Sequence, residues 1–378
     1  MSFNLIRNSR MFFTTNVNAE TGVVASSGFD ATNTREIQVL DGFAFSQNTT
    51  ADTVTLNEAG ITPVRGQRSF NTALDPVDFS FSSYIRPADG GVYITAEESV
   101  LWNALFGTDE IGTAGSAWTE TAAEATVVVT NSQAHQLQKF GIIIVVDSVS
   151  YVIDNCALDT ATIDFGLDAI SMIAWAGKGA ILRQLSGLTA TTGATVTFAN
   201  GLTGTALGKN TTAPYIANKL STLTVKSGIN GTGTTYNVAI TGGSLTIANN
   251  LTYLTPANLG VVNRPFTYFT GTRAITGSLT AYLRAGALNT SGLLADMLAS
   301  STTDVNPAFS IQVEVGGVSN ATRVEFEMPA AVLTIPSVAT EQVISTTINF
   351  TAQGSAASAF DIGAANELEV RYYTTNAV

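Results

Sequence analysis

Phe140-Gly-Ile-Ile-Ile-Val-Val146 returns later in the chain as Phe309-Ser-Ile-Gln-Val-Glu-Val315. Each stretch opens on an aromatic residue and continues with branched apolar residues, the pattern of a strand with at least one buried face. The echo extends outward. Ile173-Ala-Trp-Ala-Gly-Lys-Gly179 is answered by Ile348-Asn-Phe-Thr-Ala-Gln-Gly354, with Trp175 against Phe350 and Gly179 against Gly354. Ser82-Ser-Tyr-Ile-Arg-Pro87 is answered by Thr280-Ala-Tyr-Leu-Arg-Ala285, and residues 6–15 fall on 216–225. With one gap, Ile37, Val39, Phe43, Phe45 and Asn48 fall on Val238, Ile240, Leu245, Ile247 and Asn250. Matches in one order at similar spacing mark an internal repeat. The chain reads as a first domain over 1–185, a linker over 186–213 and a second domain over 214–378. Residues 108–138 have only a short counterpart, near 299–307.

Both copies read as strands separated by turn residues. In the first, strands are expected over 10–16, 36–46, 78–85, 125–130, 141–147, 150–157, 161–165 and 169–176. In the second they are expected over 220–226, 235–241, 244–248, 272–282, 309–315, 322–327, 332–335 and 342–351. Asp41-Gly42 and Gly242-Gly243 have the chemistry of tight hairpin turns. Each copy also carries one short helix. In the first, Thr95 with Glu98 has capping-box spacing, Gly107 supplies a stop, and Leu101, Leu105 and Phe106 face the sheet. In the second, over 291–299, Leu294 and Leu298 take that role. The fold class is mainly β, two tandem copies of an antiparallel β-sandwich or barrel, each with one short α-helix.

Of 378 residues, 45% are hydrophobic and only 12% charged, about half the usual charged share. Such a chain has apolar surface to bury, which argues against disorder, and little charge to keep copies apart. Much of its surface is expected to be covered by copies of itself. The net charge is −12, and the acidic residues crowd into the first copy, with none between Asp168 and Asp296. This argues against a nucleic-acid grip, which needs clustered Lys and Arg. The single cysteine, Cys156, permits no internal disulfide, and its apolar surroundings mark a buried thiol. The first residues lack the roughly 7–15-residue apolar core of a signal peptide, and no run is long enough to span a membrane. A soluble protein made in the cytoplasm is expected.

No catalytic, cofactor-binding or metal-binding residues emerge. His135 is the only histidine, and no Gly-x-Ser-x-Gly elbow occurs. Gly204-Thr-Ala-Leu-Gly-Lys-Asn-Thr211 fails the phosphate-loop pattern at Thr203 and Asn210. Asp154, Asp159, Asp164 and Asp168 are spaced too widely for a calcium loop. They form either a solvated face with loop ends or part of a negatively charged channel.

Further segments complete a pattern. Val77-Asp-Phe-Ser-Phe-Ser-Ser-Tyr-Ile-Arg-Pro87 is followed by Glu97-Glu-Ser-Val-Leu-Trp-Asn-Ala-Leu-Phe-Gly107. Then come Val149 to Asp164, Ile173 to Gly179, and Asn366-Glu-Leu-Glu-Val-Arg-Tyr-Tyr373. In these segments, over nearly its whole length, the chain resembles the major tail tube proteins of long-tailed bacteriophages, although the family has no invariant signature. The resemblance implies a structural protein of the virion tail, assembled in the host cytoplasm, whose rings stack into a hollow tube that conducts DNA. Ordinary family members form rings of six, so a doubled chain implies homotrimers with pseudo-six-fold symmetry. Implied partners are other copies, the tail tip or baseplate, the tape-measure and tail-terminator proteins, and double-stranded DNA passing without specific binding. An acidic lumen would repel phosphate over a Debye length of ~8 Å, and Glu36, Asp41, Asp159 and Asp164, on or beside hairpin strands, are its candidate lining. Residues 48–67 and 108–132 are candidates for reaching the next ring. The alternatives are a tail-terminator or baseplate ring of the same fold, and a surface-layer or adhesin β-sandwich module.

Overall fold

A computed structural model describes residues 9–25, 29, 33–40, 42–54, 67–90, 92–110, 113–115, 118–129, 137–146, 149–167, 169–184, 188–189, 195–198, 202–205, 213–304, 308–317, 321–336, 344–355 and 366–374. The first half contains β1 (Ser9–Thr14), β2 (Thr34–Ile37), β3 (Ala44–Ser46), β4 (Thr49–Val54), β5 (Arg68–Leu74), β6 (Val77–Tyr84), α1 (Ser99–Phe106), β7 (Ala125–Val129), β8 (Phe140–Val146), β9 (Val149–Asp164), β10 (Met172–Gly179) and β11 (Ile181–Gln184). The second contains β12 (Thr222–Ser227), β13 (Thr235–Asn237), β14 (Ile240–Ala248), β15 (Thr252–Leu254), β16 (Thr267–Phe269), β17 (Ala274–Tyr282), α2 (Thr290–Thr303), β18 (Phe309–Val315), β19 (Arg323–Leu333), β20 (Ser345–Ala352) and β21 (Leu368–Tyr373). The fold is mainly β, its sheets antiparallel and its labelled helices two, as the composition and periodicity imply.

Two long strands make the sandwich. The N-terminal part of β9 pairs with β8 and β11, and its C-terminal part with β10. In the same way β19 pairs first with β18 and β21, then with β20. The sequence pattern divides each of these strands in two. In β9 the cause is the register shift between Leu158 and Thr160, which leaves Asp159 as an extra residue and interrupts the alternation. The pairing patterns of the two halves correspond even to their irregularities. β8 shifts register against β9 between Phe140 and Ile142, and β18 against β19 between Phe309 and Ile311.

A four-strand row fixes the correspondence. Phe45, Phe79, Gly177 and Leu158 lie side by side across β3, β6, β10 and β9. Leu245, Gly277, Phe350 and Leu333 lie side by side across β14, β17, β20 and β19. A phenylalanine covers a glycine in both rows, with the partners exchanged between strands. A Cβ on Gly177 would stand 2.5 Å from Phe79 Cζ, and one on Gly277 would stand 2.4 Å from Phe350 Cζ. The Ala157 and Ser244 carbonyl oxygens would be closer still, at 2.4 and 2.2 Å, so backbone and ring together require glycine at both positions.

This row corrects three sequence matches. Phe350 stands where Gly177 does rather than Trp175, and Leu245 corresponds to Phe45 rather than Phe43. Met11 faces Ile144 as Leu223 faces Val313, so Leu223 corresponds to Met11 rather than Phe13. Each displacement is two residues, the strand period, so each residue keeps its face. Gly242-Gly243 is not a turn. It lies inside β14 at a register shift, where a Cβ on Gly243 would stand 2.4 Å from the Ser278 carbonyl oxygen. Part of the stretch read as a linker forms a small three-stranded antiparallel sheet, Leu188–Thr189, Thr195–Phe198 and Leu202–Thr205.

One apolar cluster runs through both halves, from Phe79, Trp102 and Trp175 to Phe326, Ile348 and Phe350. Leu101, Leu105 and Phe106 of α1 are buried in it. In α2, Leu294 packs against it only partly and Leu298 is 53% exposed. Leu293 and Met297 are the buried pair, one position away from those expected. The expected capping box also differs, because α1 begins at Ser99 with Glu98 as its N-cap, and Gly107 is extended rather than left-handed.

Candidate assembly surface and channel wall

The two four-strand rows join into one ribbon. The C-terminal part of β9 pairs with β14, from Thr160 opposite Ala248 to Asp164 opposite Ser244. The strand order along the ribbon is β3-β6-β10-β9-β14-β17-β20-β19. Among the described residues, β3 has a strand partner on one side only, and the end of β19 likewise meets only β20.

The β9·β14 seam is held by more than its ladder. Asp159, the extra residue of β9, accepts the Leu251 N–H on its carboxylate at 2.9 Å and the Asn249 N–H on its carbonyl at 2.8 Å. Asn249 is buried and donates to the Leu105 and Leu158 carbonyls at 3.0 and 3.3 Å. Beyond the strand ends, Ser171 N–H donates to Ile216 O at 2.8 Å and Asn218 N–H to Ala169 O at 2.9 Å. The Asn218 side chain donates to the carbonyls of Asp164 and Gly166. Each such bond contributes roughly 0.5–1.5 kcal/mol net, and a buried amide left without partners costs more than that.

Strand alternation gives the ribbon two unlike faces. One carries Phe79, Trp175, Ile163, Ile247, Leu279 and Phe350, all buried. The other carries short polar side chains. Ser80 follows this rule on β6, Thr162 on β9, Thr246 on β14, Ser278 on β17 and Thr347 with Asn349 on β20. Thr162 and Thr246 hydroxyls meet across the seam at 3.3 Å. The charged residues that alternation places on this face are Asp78, Lys178 and Asp164, and the first two form an ion pair at 3.2 Å. Tyr84, Met172 and Tyr282 also fall on it at strand ends, and between them the face is hydroxyl-rich, short in reach and close to neutral.

The four acids expected to line a lumen are scattered. Glu36 is buried and held by Arg10, whose Nε and Nη2 donate at 2.8 and 2.5 Å, so its charge is compensated inside the fold. Asp159 belongs to the seam. Asp164 alone stands on the hydroxyl face, exposed and accepting the Gly166 N–H at 3.1 Å. Asp41 lies outside the described residues, as do His135 and residues 206–211 of the failed phosphate loop. Spacing in sequence could not separate these acids, because a clamp, a bulge and a free side chain all fit the same strand pattern.

A second link between the halves escaped sequence reading. β21 pairs with β19 on one side and with β7 of the first half on the other. Its Tyr372 hydroxyl donates to Glu98 Oε1 at 2.7 Å and accepts from Trp102 Nε1 at 2.6 Å. Glu98 is fully buried, and this burial raises its pKa to about 7 despite the Tyr372 hydroxyl and the Arg86 N–H that stabilise the carboxylate. Burial likewise pushes the Tyr372 hydroxyl well up. Arg371 on the same strand binds Glu325, Glu327 and Glu369 at 2.6, 2.7 and 2.8 Å.

Among the described residues, no three His, Cys, Asp or Glu side chains converge on a metal-sized site. No helix among them is long and apolar enough to cross a membrane. No protein-family model matches the chain. Sequence relationship nevertheless gives its class: the chain belongs to the tail tube proteins of tailed bacteriophages, structural components of the virion tail. The relative that shows this is tail tube protein pb6 of Escherichia phage T5, 32% identical over an alignment 384 positions long that covers 96% of this chain and 75% of the relative.

Proposed function

We propose that the chain is two tandem copies of one tail-tube unit, 1–185 and 214–378, and that three chains close a ring of six units. Stacked head to tail, such rings propagate as a hollow tube. The hydroxyl face of the ribbon lines the bore, and duplex DNA passes along it into the host. The supporting observation is the ribbon itself, which aligns two matched four-strand rows edge to edge with one face apolar and the other short and polar. Closing the ribbon removes the strand edges that an open sheet leaves exposed.

The wall chemistry suits transit. A duplex presents one charge per ~1.7 Å and binds where Lys and Arg displace its counterions. The hydroxyl face offers Lys178 already paired with Asp78, and Asp164 leaves it slightly negative. Other copies, the tail tip, and the tape-measure and terminator proteins are the partners this role requires. The test is to introduce Ser278→Lys with Thr347→Lys and assemble tubes. Wild-type tubes should release duplex DNA freely, while variant tubes should retain it in a salt-dependent manner. Equal release from both would place this face outside the bore.

A further inference from the structure

We infer that the two free ends of the ribbon are the halves of one inter-subunit seam, and that this seam is built weaker than the internal one. The inference rests on the ring reading of the proposed function. The partner is a second copy of this chain. The edge of β3 with Gln47 and Asn48 is one half, and Leu333–Pro336 at the end of β19 is the other.

The register follows from the matched rows. Phe45 corresponds to Leu245 and Leu333 to Leu158, because each pair occupies the same place in its row. Thr334 N–H bonds Asn349 O at 2.8 Å, so β19 continues from Leu333 without an extra residue and Thr334 corresponds to Thr160. The internal pairs Thr160–Ala248, Ala161–Ile247 and Thr162–Thr246 then dictate Thr334–Asn48, Ile335–Gln47 and Pro336–Ser46 between neighbouring chains.

Burial supports this occupant. Ala161 is fully buried under the internal seam, whereas Ile335, its counterpart, is 48% exposed. Leu245 is buried, whereas Phe45 is only half-buried. Both free edges thus expose apolar side chains where the internal seam covers them, and a neighbour's opposite edge is the surface of matching pattern.

The same comparison shows why the outer seam is weaker. Asp159, which bonds two backbone N–H groups across the internal seam, has no counterpart on the straight run from Leu333 to Thr334. Thr49 stands where buried Asn249 reaches two carbonyls. The β7·β21 clamp is internal, and β7 belongs to the segment without a full second copy. A chain so built keeps its two units together permanently and its outer edges apart until a growing end presents many contacts at once.

Two experiments on the full-length chain test this. Asn48→Cys with Thr334→Cys should yield, on oxidation of assembled tubes, covalent species that stop at three chains; Cys156 is buried and stays out of the reaction. Thr49→Asn, which restores the internal-type amide that reaches two carbonyls, should lower the protein concentration needed for ring formation about tenfold, since two hydrogen bonds are worth that factor. Tubes that assemble but do not cross-link would overturn the seam and leave the ring reading standing. A variant that needs the same or a higher concentration would overturn the graded strength. Absence of rings and tubes from the wild-type chain under tail-tip nucleation would sink the ring reading, and this inference with it.

Discussion

The helices α1 and α2 occupy the same place in the order of elements and live in different surroundings. Six of the eight residues of α1 are buried, among them Trp102, Leu105 and Phe106, and Trp102 stacks edge-on against Trp175 at 5.2 Å. α2 buries only Thr290, Leu293 and Met297 and turns Leu298 to solvent, anchored instead by the Tyr236 hydroxyl donating to Asp296. The difference lies in the chain beyond each helix. After α1 comes the added segment that contains β7, and β21 returns from the far end to pair with it. Nothing among the described residues covers α2 in this way. A repeated fold therefore need not repeat its energetics: the extra segment converts one surface helix into the interior of a two-unit body.

The sharpest way to break this comparison is to empty the core under α1. Trp102→Ala should cost roughly 3–5 kcal/mol in denaturant unfolding. A cost below about 1 kcal/mol would mean that the helix is not the buried keystone described. The next effect is on pH. Glu98 binds its proton more tightly folded than unfolded, so its contribution is full below the unfolded pKa of 4.5 and is lost as pH rises through about 7. Stability should fall between about pH 5 and 8 by on the order of 3 kcal/mol from this group, and Glu98→Gln should flatten that slope and raise the Tm at pH 8. A slope unchanged by the substitution would move the titration elsewhere.

Smaller effects sharpen the picture at the links between halves. Tyr372→Phe leaves the Glu98 carboxylate and the Trp102 N–H short of a partner and should cost about 1–3 kcal/mol. Asp159→Ala removes the acceptor of the Leu251 N–H across the seam and should cost about 1–2 kcal/mol. Leu298→Ser on the exposed side of α2 should stay within about 0.5 kcal/mol of wild type. If Leu298→Ser cost as much as Trp102→Ala, the contrast between the helices would fail.

Much of this fold was legible in the residues. The matches of 82–87 with 280–285 and of 140–146 with 309–315 stand in the corresponding strand registers. Three other matches slid by two residues, because alternation identifies a face and leaves the position along the strand to pairing, which no single strand contains. Gly242-Gly243 looked like a turn because its composition suits one, whereas close approach to Ser278 is what requires glycine at 243. Glu98 sat at capping spacing from Thr95 and is instead a buried partner of Tyr372, a residue from the opposite end of the chain. The proposed wall was least legible. Acid content suggested a negative lumen, but Arg10 neutralises Glu36 and a bulge diverts Asp159 to the seam, while the hydroxyl face declared itself only when eight strands were laid side by side.

The central claim is that two units of one chain are joined inside the ring as neighbouring chains are joined around it. Electron microscopy of assembled tubes, with rotational averaging of end-on views and mass measurement per ring, tests it most directly. The expected result is three chains per ring, true three-fold symmetry and six similar lobes around an open bore. Six chains per ring, or a ring without six similar lobes, would contradict it.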